Sequence, residues 1–109
     1  MNLTSETFGS VIVVHSPEDL SADHASGFEA HVRQVDPPCV VLDMDDTELL
    51  DSAGLTAILD ARDALQQRHG DLKIATNNAT NRKILEITRL DEQIELFESV
   101  IDAVKSYQG

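Results

Sequence analysis

The sequence predicts one small α/β domain over residues 1–109, with a mixed sheet of about four or five strands and about four helices. Short apolar and β-branched runs alternate along the chain with longer segments of helical periodicity. Turn signals such as Asp36-Pro37-Pro38 and Gly70-Asp71 separate these segments. The chain has no internal repeat or low-complexity stretch, and its 109 residues suit one domain, since most domains hold roughly 100–200 residues.

The first part of the chain predicts two strands and a helix. Residues 11–14 form a β-branched run that is typical of a buried strand, and a weaker strand is expected near residues 3–8, with a turn at Gly9-Ser10. Four apolar residues then recur at helical spacing, with Ser21 as the expected N-cap and Asp36-Pro37-Pro38 as the end. These four residues are Ala25, Phe28, Val32 and Val35.

The middle of the chain predicts a central strand, a long helix and another strand. Residues 40–42 are continuously apolar, as expected for a strand that is covered on both faces. From residue 53 to residue 69 the apolar spacing is helical, and Gly70 is the expected C-terminal stop. Residues 72–76 alternate with a period of two, which predicts the next strand.

The last part of the chain predicts two more helices around a short strand. A helix is expected over residues 80–89 and a strand over residues 94–97. The residues of this helix that face the core are predicted to be Ile84, Leu85 and Ile87. Ser99 then caps a terminal helix, with Asp102 at the N3 position. This terminal helix is predicted to bury Val100, Ile101 and Val104.

The charge balance excludes several classes of function. The chain holds 20 Asp and Glu against 8 Lys and Arg, for a formal net charge of −12. Because nucleic acids and anionic membranes both bind basic surfaces, neither is an expected partner. No apolar run approaches the roughly 20 residues that cross a bilayer, and the first residues show no secretory signal. We therefore expect a cytoplasmic protein without membrane insertion.

No cofactor and no metal site are expected. Cys39 is the single cysteine, so neither an intramolecular disulfide nor a cysteine zinc cluster can form. The four histidines show no ligand spacing. His24 and His31 share one predicted helix at i and i+7, which is too far apart for one metal ion.

The segment Asp51-Ser52-Ala53-Gly54-Leu55 joins an extended stretch to the long predicted helix. Ser52 is then expected at the helix N-terminus, where unpaired N–H groups and the helix dipole favour an anion. A phosphate on Ser52 would add a charge of about −1.5 to −2 to an already acidic surface without a change of fold. The alternative is that Ser52 is only an N-cap, since serine is common at that position.

This segment, placed after the apolar strand of residues 40–43, resembles the signature of the STAS domain of bacterial anti-sigma factor antagonists. In that family the motif is Asp-Ser-Ser-Gly-Leu at the start of a long helix. The order and lengths of the predicted elements agree with the family over nearly the whole chain. The resemblance implies the STAS fold and a protein with no catalysis of its own.

The resemblance also implies a role in transcription regulation by partner switching. In the family, the unphosphorylated antagonist binds an anti-sigma factor that is also a serine kinase of the GHKL type, and a sigma factor is released. The kinase uses ATP to phosphorylate the serine that matches Ser52, and the complex dissociates. A serine phosphatase resets the cycle.

The residues that the resemblance assigns to partner binding lie at the starts of two helices. They are Ser21, Asp23, Asp51, Ser52, Ala53, Gly54, Leu55 and Thr56. Asp51 would support the loop, Gly54 would allow close approach of the backbone, and Leu55 would anchor the helix in the core.

The sequence departs from the family pattern at three positions. Ser21 stands where the family usually has Asp at the start of its first helix, and Asp23 follows closely. Asp46 replaces a glycine in the loop before the motif, and Ala53 replaces the second serine of the motif.

A competing interpretation makes the same stretch an active site. Asp43-Met44-Asp45-Asp46-Thr47 resembles the first motif of haloacid-dehalogenase-like phosphatases, so Asp43 would be the nucleophile and Asp45 the general acid/base beside Mg²⁺. Against this, a strand and a helix precede the motif, and no convincing acidic pair for Mg²⁺ follows residue 78.

A third interpretation is a STAS scaffold that is never phosphorylated, or the cytoplasmic subunit of a transport assembly. Ser52 would then serve only as a helix cap.

Overall fold

The computed structural model describes residues 3–108 as a five-stranded mixed sheet with four helices and a separate pair of short strands. The strands are β1 (Ser5–Phe8), β2 (Val11–His15), β3 (Asp19–Leu20), β4 (Cys39–Asp43), β5 (Leu49–Leu50), β6 (Asp71–Ala75) and β7 (Leu96–Phe97). The helices are α1 (Ala22–Val32), α2 (Ser52–Gln67), α3 (Ala79–Ile87) and α4 (Val100–Gln108). The main sheet has the order β1-β2-β4-β6-β7, with β1 antiparallel to β2 and the other neighbours parallel. The predicted fold class is confirmed.

The central strands are apolar on both faces because helices cover both sides of the sheet. In β2, Ile12 and Val14 belong to the core shared with α1, α2 and α3, whereas Val11 and Val13 belong to the core under α4. Side chains alternate between the faces of a strand, so a strand buried on both faces needs a continuous apolar run. No helix within residues 3–108 has the length and apolar character that crossing a membrane requires.

The parallel register brings the ends of three strands to one edge of the sheet. His15 at the end of β2 lies opposite Asp43 at the end of β4, and Asp43 lies opposite Ala75 at the end of β6. We call the loops that follow these three residues the carboxyl edge. In open α/β sheets this edge is the usual place for binding sites.

The pairing of β3 with β5 was not predicted. These strands have two residues each, which is too short for any periodicity to reveal them. They pair in parallel, with Leu20 opposite Leu50. Because β3 precedes α1 and β5 precedes α2, this small sheet sets the starts of both helices side by side.

Several predicted details of the helices are wrong. Helix α1 ends at Val32, and Val35 packs against the core from the following loop. Ile87 and Ile101, which were expected in the core, are 70% and 65% exposed. Both lie in nine-residue helices that bury two positions each, so the buried stripe is narrower than the apolar pattern suggests. The predicted cap of α4 is confirmed, since the Asp102 N–H donates to Ser99 Oγ at 3.1 Å.

Strand β6 also departs from its predicted alternation. Lys73 is buried, donates from Nζ to Ser106 Oγ at 2.7 Å, and places the ammonium 4.2 Å from the centroid of the Tyr107 ring. The Tyr107 hydroxyl donates to the Val40 carbonyl at 2.8 Å, and burial raises the pKa of this phenol above its ordinary value. The side chain of Lys73, the polar residue within β6, is therefore buried against α4 and does not face the solvent.

The end of α2 is set by close packing. The helix ends at Gln67, and the left-handed residue after it is His69, with φ of 66°, one position before the predicted stop at Gly70. Gly70 is required for another reason, because a Cβ at this position would collide with the carbonyl oxygen of Pro38. The loop before β4 therefore packs directly on the backbone between α2 and β6.

We predict opposite effects on stability for Gly70→Ala and Gly27→Ala, to be measured by thermal unfolding. Gly70→Ala introduces the collision with Pro38 and lowers Tm by about 4 °C or more, since overpacking destabilises by roughly 1–3 kcal/mol. Gly27 is exposed within α1, so Gly27→Ala stabilises by up to about 1 kcal/mol and raises Tm. Equal Tm values for the two variants would contradict the close packing at Gly70.

Candidate functional site

The starts of α1 and α2 are joined at the carboxyl edge by one side chain. Asp51 is the N-cap of α2, and its Oδ1 accepts from the Gly54 N–H at 2.9 Å. Its Oδ2 accepts from the N–H of Ala22, the first residue of α1, at 3.1 Å. A single carboxylate therefore satisfies one free N–H at each of two helix ends.

Ser52 is the first residue of α2, and it is exposed. The alternative that Ser52 is itself the N-cap is wrong, because Asp51 occupies that position. The N–H groups of Ser52 and Ala53 lie in the first turn, where no intrahelical acceptor exists. An anion on the Ser52 side chain would therefore lie at the positive end of the helix dipole.

Gly54 is buried where the start of α2 packs on β3. A Cβ on Gly54 would collide with the Leu20 carbonyl oxygen and would lie 3.1 Å from Leu50 Cδ1. Leu55 is half-buried and packs against the core, so it anchors the first turn of α2. Thr56 is exposed and lines a shallow groove between α1 and α2, next to Ala53.

The other two predicted contact residues lie at the start of α1. Ser21 is the N-cap of α1, but its side chain makes no cap hydrogen bond. Asp23 is exposed in the first turn of the helix. Because Ala22 is bonded to Asp51, the structure brings Ser21 and Asp23 to the same part of the carboxyl edge as Ser52.

Asp19 holds the turn into α1. Its Oδ1 accepts from the Ser21 N–H at 3.0 Å, and its Oδ2 lies 3.5 Å from His24 Nδ1. Hydrogen bonding from Ser21 lowers the pKa of Asp19, partial desolvation opposes this shift, and the charge of His24 adds to the lowering. Asp19 is therefore an ionised carboxylate at neutral pH.

The loop before β5 is fixed by residues that the sequence analysis did not single out. Asn81 is 1% exposed and donates from Nδ2 to the carbonyl oxygens of Met44 and Thr47, at 2.9 Å and 2.8 Å. The hydroxyl of Thr47 donates to the Pro17 carbonyl at 2.8 Å. The neighbouring Asn78 caps α3, so the asparagine-rich stretch has the sequence pattern of an ordinary turn before a helix. This pattern gives no sign that Asn81 is buried.

The residues of the phosphatase interpretation serve as hydrogen-bond acceptors within the fold. Asp43 Oδ2 accepts from His15 Nδ1–H at 3.0 Å, and Asp43 Oδ1 accepts from the Asp45 N–H at 3.0 Å. Asp45 Oδ1 accepts from the Asn77 N–H at 2.7 Å. Within residues 3–108, no three His, Cys, Asp or Glu side chains come together in a way that could hold a metal ion.

The surface around Ser52 is acidic and carries one large apolar side chain. Leu49, in the strand before α2, is 58% exposed. The exposed acidic residues of the adjoining loops and first turns are Asp23, Asp45, Asp46, Glu48 and Asp51. We call this surface, together with Ser52, the serine face.

The topology defines a small α/β domain with two paired helix starts on the carboxyl edge of a mixed sheet. The STAS domain family profile matches residues 2–103, and the chain belongs to this family. Comparison of the sequence with curated proteins finds no match.

Solved structures show the same fold. An anti-sigma factor antagonist from Mycobacterium paratuberculosis has a TM-score of 0.83 and 22% identity, over 99% of this chain and 94% of that one. The anti-sigma factor antagonist SpoIIAA in its unphosphorylated form has a TM-score of 0.79 and 15% identity, over 99% of this chain and 97% of that one. The Bacillus cell fate determinant SpoIIAA in its phosphorylated form has a TM-score of 0.70 and 14% identity, over 97% and 99% of the two chains.

A sulfate transporter family protein from Wolinella succinogenes also has this fold, with a TM-score of 0.80 and 13% identity over 94% of this chain and 88% of that one. At these identities the structural likeness establishes the fold, and the role of the chain has to be argued from its own residues.

We predict that Asp51→Ala destabilises the protein by about 2 kcal/mol, because it removes both a helix cap and the bond to Ala22. Asp51→Asn retains an oxygen that caps α2, but its NH₂ group cannot accept from Ala22, so the expected loss is about 1 kcal/mol. Urea unfolding measures both changes. Asp60→Ala, at an exposed position within α2, is the control and should be neutral or stabilising. A value for Asp51→Ala within about 0.5 kcal/mol of wild type would contradict the double role of Asp51.

Proposed function

We propose that the protein is an anti-sigma factor antagonist whose binding to an anti-sigma factor is switched off by phosphorylation of Ser52. The observation that carries this proposal is an exposed serine at the first position of α2, on an acidic face held by Asp51. A hydroxyl that caps its own helix is engaged, whereas the hydroxyl of Ser52 is available because Asp51 does the capping.

The partner in this proposal is a serine kinase of the GHKL type that also acts as the anti-sigma factor. In the transfer, Ser52 Oγ forms a bond to the γ-phosphorus of ATP, and the bond from that phosphorus to the ADP oxygen breaks. The hydroxyl proton passes to a base of the kinase. A serine phosphatase would restore Ser52 by hydrolysis.

The fold is suited to carry this phosphate without rearrangement. The new charge, about −1.5 to −2, lies at the N-terminus of α2, where the dipole and the N–H groups of the first turn favour it. The cap provided by Asp51 uses none of the atoms of Ser52. The occurrence of this fold in both the unphosphorylated and the phosphorylated form of SpoIIAA supports the same conclusion.

Dissociation follows from charge and bulk at the contact. The Ser52 phosphate would face the phosphates of ADP in the kinase, on a surface that already carries the exposed carboxylates of Asp23 and Glu48. Like charges brought together at a contact weaken binding by several kcal/mol. The unphosphorylated serine face, being acidic, fits a partner with a basic patch, and exposed Leu49 offers it an apolar contact.

In this role the chain performs no catalysis, uses no cofactor and acts in the cytoplasm. The phosphatase alternative would need Asp43 free to attack a phosphate. In the structure its two carboxylate oxygens accept hydrogen bonds from His15 and from the backbone of Asp45, which favours a structural role.

We predict that Ser52→Asp loses the kinase partner and that Ser52→Ala retains it. The measurement is an affinity pull-down from lysate of the native cell, with wild-type protein and each variant as bait and partners identified by mass spectrometry. Recovery of the GHKL-type kinase should fall by about tenfold or more for Ser52→Asp, because the new carboxylate meets the nucleotide phosphates. With the recovered kinase and ATP, wild type should gain one phosphoryl group and Ser52→Ala none.

Ser10→Asp is the matched control. It introduces the same charge in the exposed turn between β1 and β2, at the opposite end of the sheet, and should keep the partner. Thermal unfolding of Ser52→Asp should match wild type, since an acidic residue is favourable in a first turn. If Ser52→Asp retains the same partner as wild type, or if no bait recovers a kinase, the switch is wrong. A scaffold or transport-assembly role, compatible with the fold of the Wolinella protein, would then take its place.

A further inference from the structure

A second feature of the carboxyl edge is a cleft beside the end of β2, with a volume of about 480 Å³. Its polar lining consists of Thr4, His15, Ser16, Asp19, His24 and Asp46, and its apolar lining of Leu3 and Pro17. No lysine or arginine lines it. The volume lies in the range of small-molecule sites, which is roughly 300–1,000 Å³.

The two histidines of the cleft each contact a carboxylate. His15 Nδ1 lies 3.0 Å from Asp43 Oδ2, and because a carboxylate only accepts, Nδ1 of this ring carries the proton. On the other side of the ring, His15 Nε2 lies 3.9 Å from Glu6 Oε2. His24 Nδ1 lies 3.5 Å from Asp19 Oδ2. Both histidines therefore face carboxylates, and the anionic groups that line the cleft itself are Asp19 and Asp46.

Ser16 adds a polar group that has no partner. Ser16 is 7% exposed, and no group among residues 3–108 forms a hydrogen bond with its Oγ. The backbone N–H of Ser16 donates to the Asp43 carbonyl at 2.8 Å, so the position of the residue is fixed by β4. An unpaired buried hydroxyl is destabilising unless a ligand or water satisfies it.

From this arrangement we infer that the cleft binds a small organic cation, with a guanidinium or primary ammonium group on an alkyl chain. Its N–H groups would donate to the acceptors contributed by Ser16, Asp19 and Asp46, and Leu3 and Pro17 would contact the alkyl chain. A cation with several N–H donors suits a lining that holds two carboxylates and a buried hydroxyl but no lysine or arginine. The site shares Asp46 with the serine face but does not involve Ser52, so the inference does not depend on the proposed switch.

The test is a titration of the full ¹⁵N-labelled chain with agmatine, followed by ¹H–¹⁵N NMR. We expect saturable shifts concentrated at Thr4, His15, Asp19 and His24. Tetramethylammonium, a cation without N–H donors, should leave these signals unmoved at the same concentrations.

Two variants probe the site, and a third controls for charge. Asp46→Asn should weaken agmatine binding by about tenfold, the usual effect of losing one charge-assisted hydrogen bond. Ser16→Ala should weaken binding by several-fold while Tm stays equal or rises, because the free protein loses no hydrogen bond. Glu86→Gln removes one exposed charge of α3, which does not line the cleft, and should bind as wild type does.

Three outcomes would overturn the inference. The first is the absence of saturable shifts, and the second is a loss of affinity in Glu86→Gln equal to that in Asp46→Asn, which would indicate general attraction to an acidic protein. The third is tighter binding of Zn²⁺ than of agmatine at the same signals, which would make the cleft a metal site.

Discussion

The Asp51 carboxylate links the N-terminal ends of α1 and α2 through its two oxygens, and the architecture of the serine face depends on that link. The residues joined are 29 positions apart in the chain. Each bond satisfies a first-turn N–H that a helix cannot pair by itself. The same carboxylate leaves Ser52 uncommitted at the surface, so the structural role and the proposed functional role fall on adjacent residues.

The parallel register supplies the setting for this link. Because β2, β4 and β6 end in line, the loops that follow them are stacked at the carboxyl edge. Asn81 and Thr47 link those loops by donating hydrogen bonds to backbone carbonyls. The pairing of β3 with β5 positions the starts of α1 and α2. The edge therefore carries two adjoining acidic features, the serine face and the cleft near His15, which share Asp46.

Secondary structure was predicted accurately from the sequence where an element is long enough to show a clear periodicity in its apolar residues. The long helix α2 and the apolar strands β2 and β4 were recovered because burial repeats over several turns or residues and leaves a strong period. Errors occurred where two or three residues decide the outcome, as for Ile87 and Ile101 in short helices and for the two-residue strands. Ser52 was correctly placed at a helix start, and the alternative that it caps the helix was wrong, because Asp51 takes that role and Asp and Ser are both good caps.

The sequence by itself determined the alternation of strands and helices, the family signature around Ser52, and the acidic character of the chain. Each of these depends only on neighbouring residues or on the composition. The tertiary structure alone decided that Asp51 also binds α1, that Asn81 lies buried under the loop after β4, that Gly70 packs on Pro38, and that Ser16 lines an acidic cleft. These contacts join residues remote in the chain, and their geometry depends on how whole elements pack, which no local window of sequence specifies.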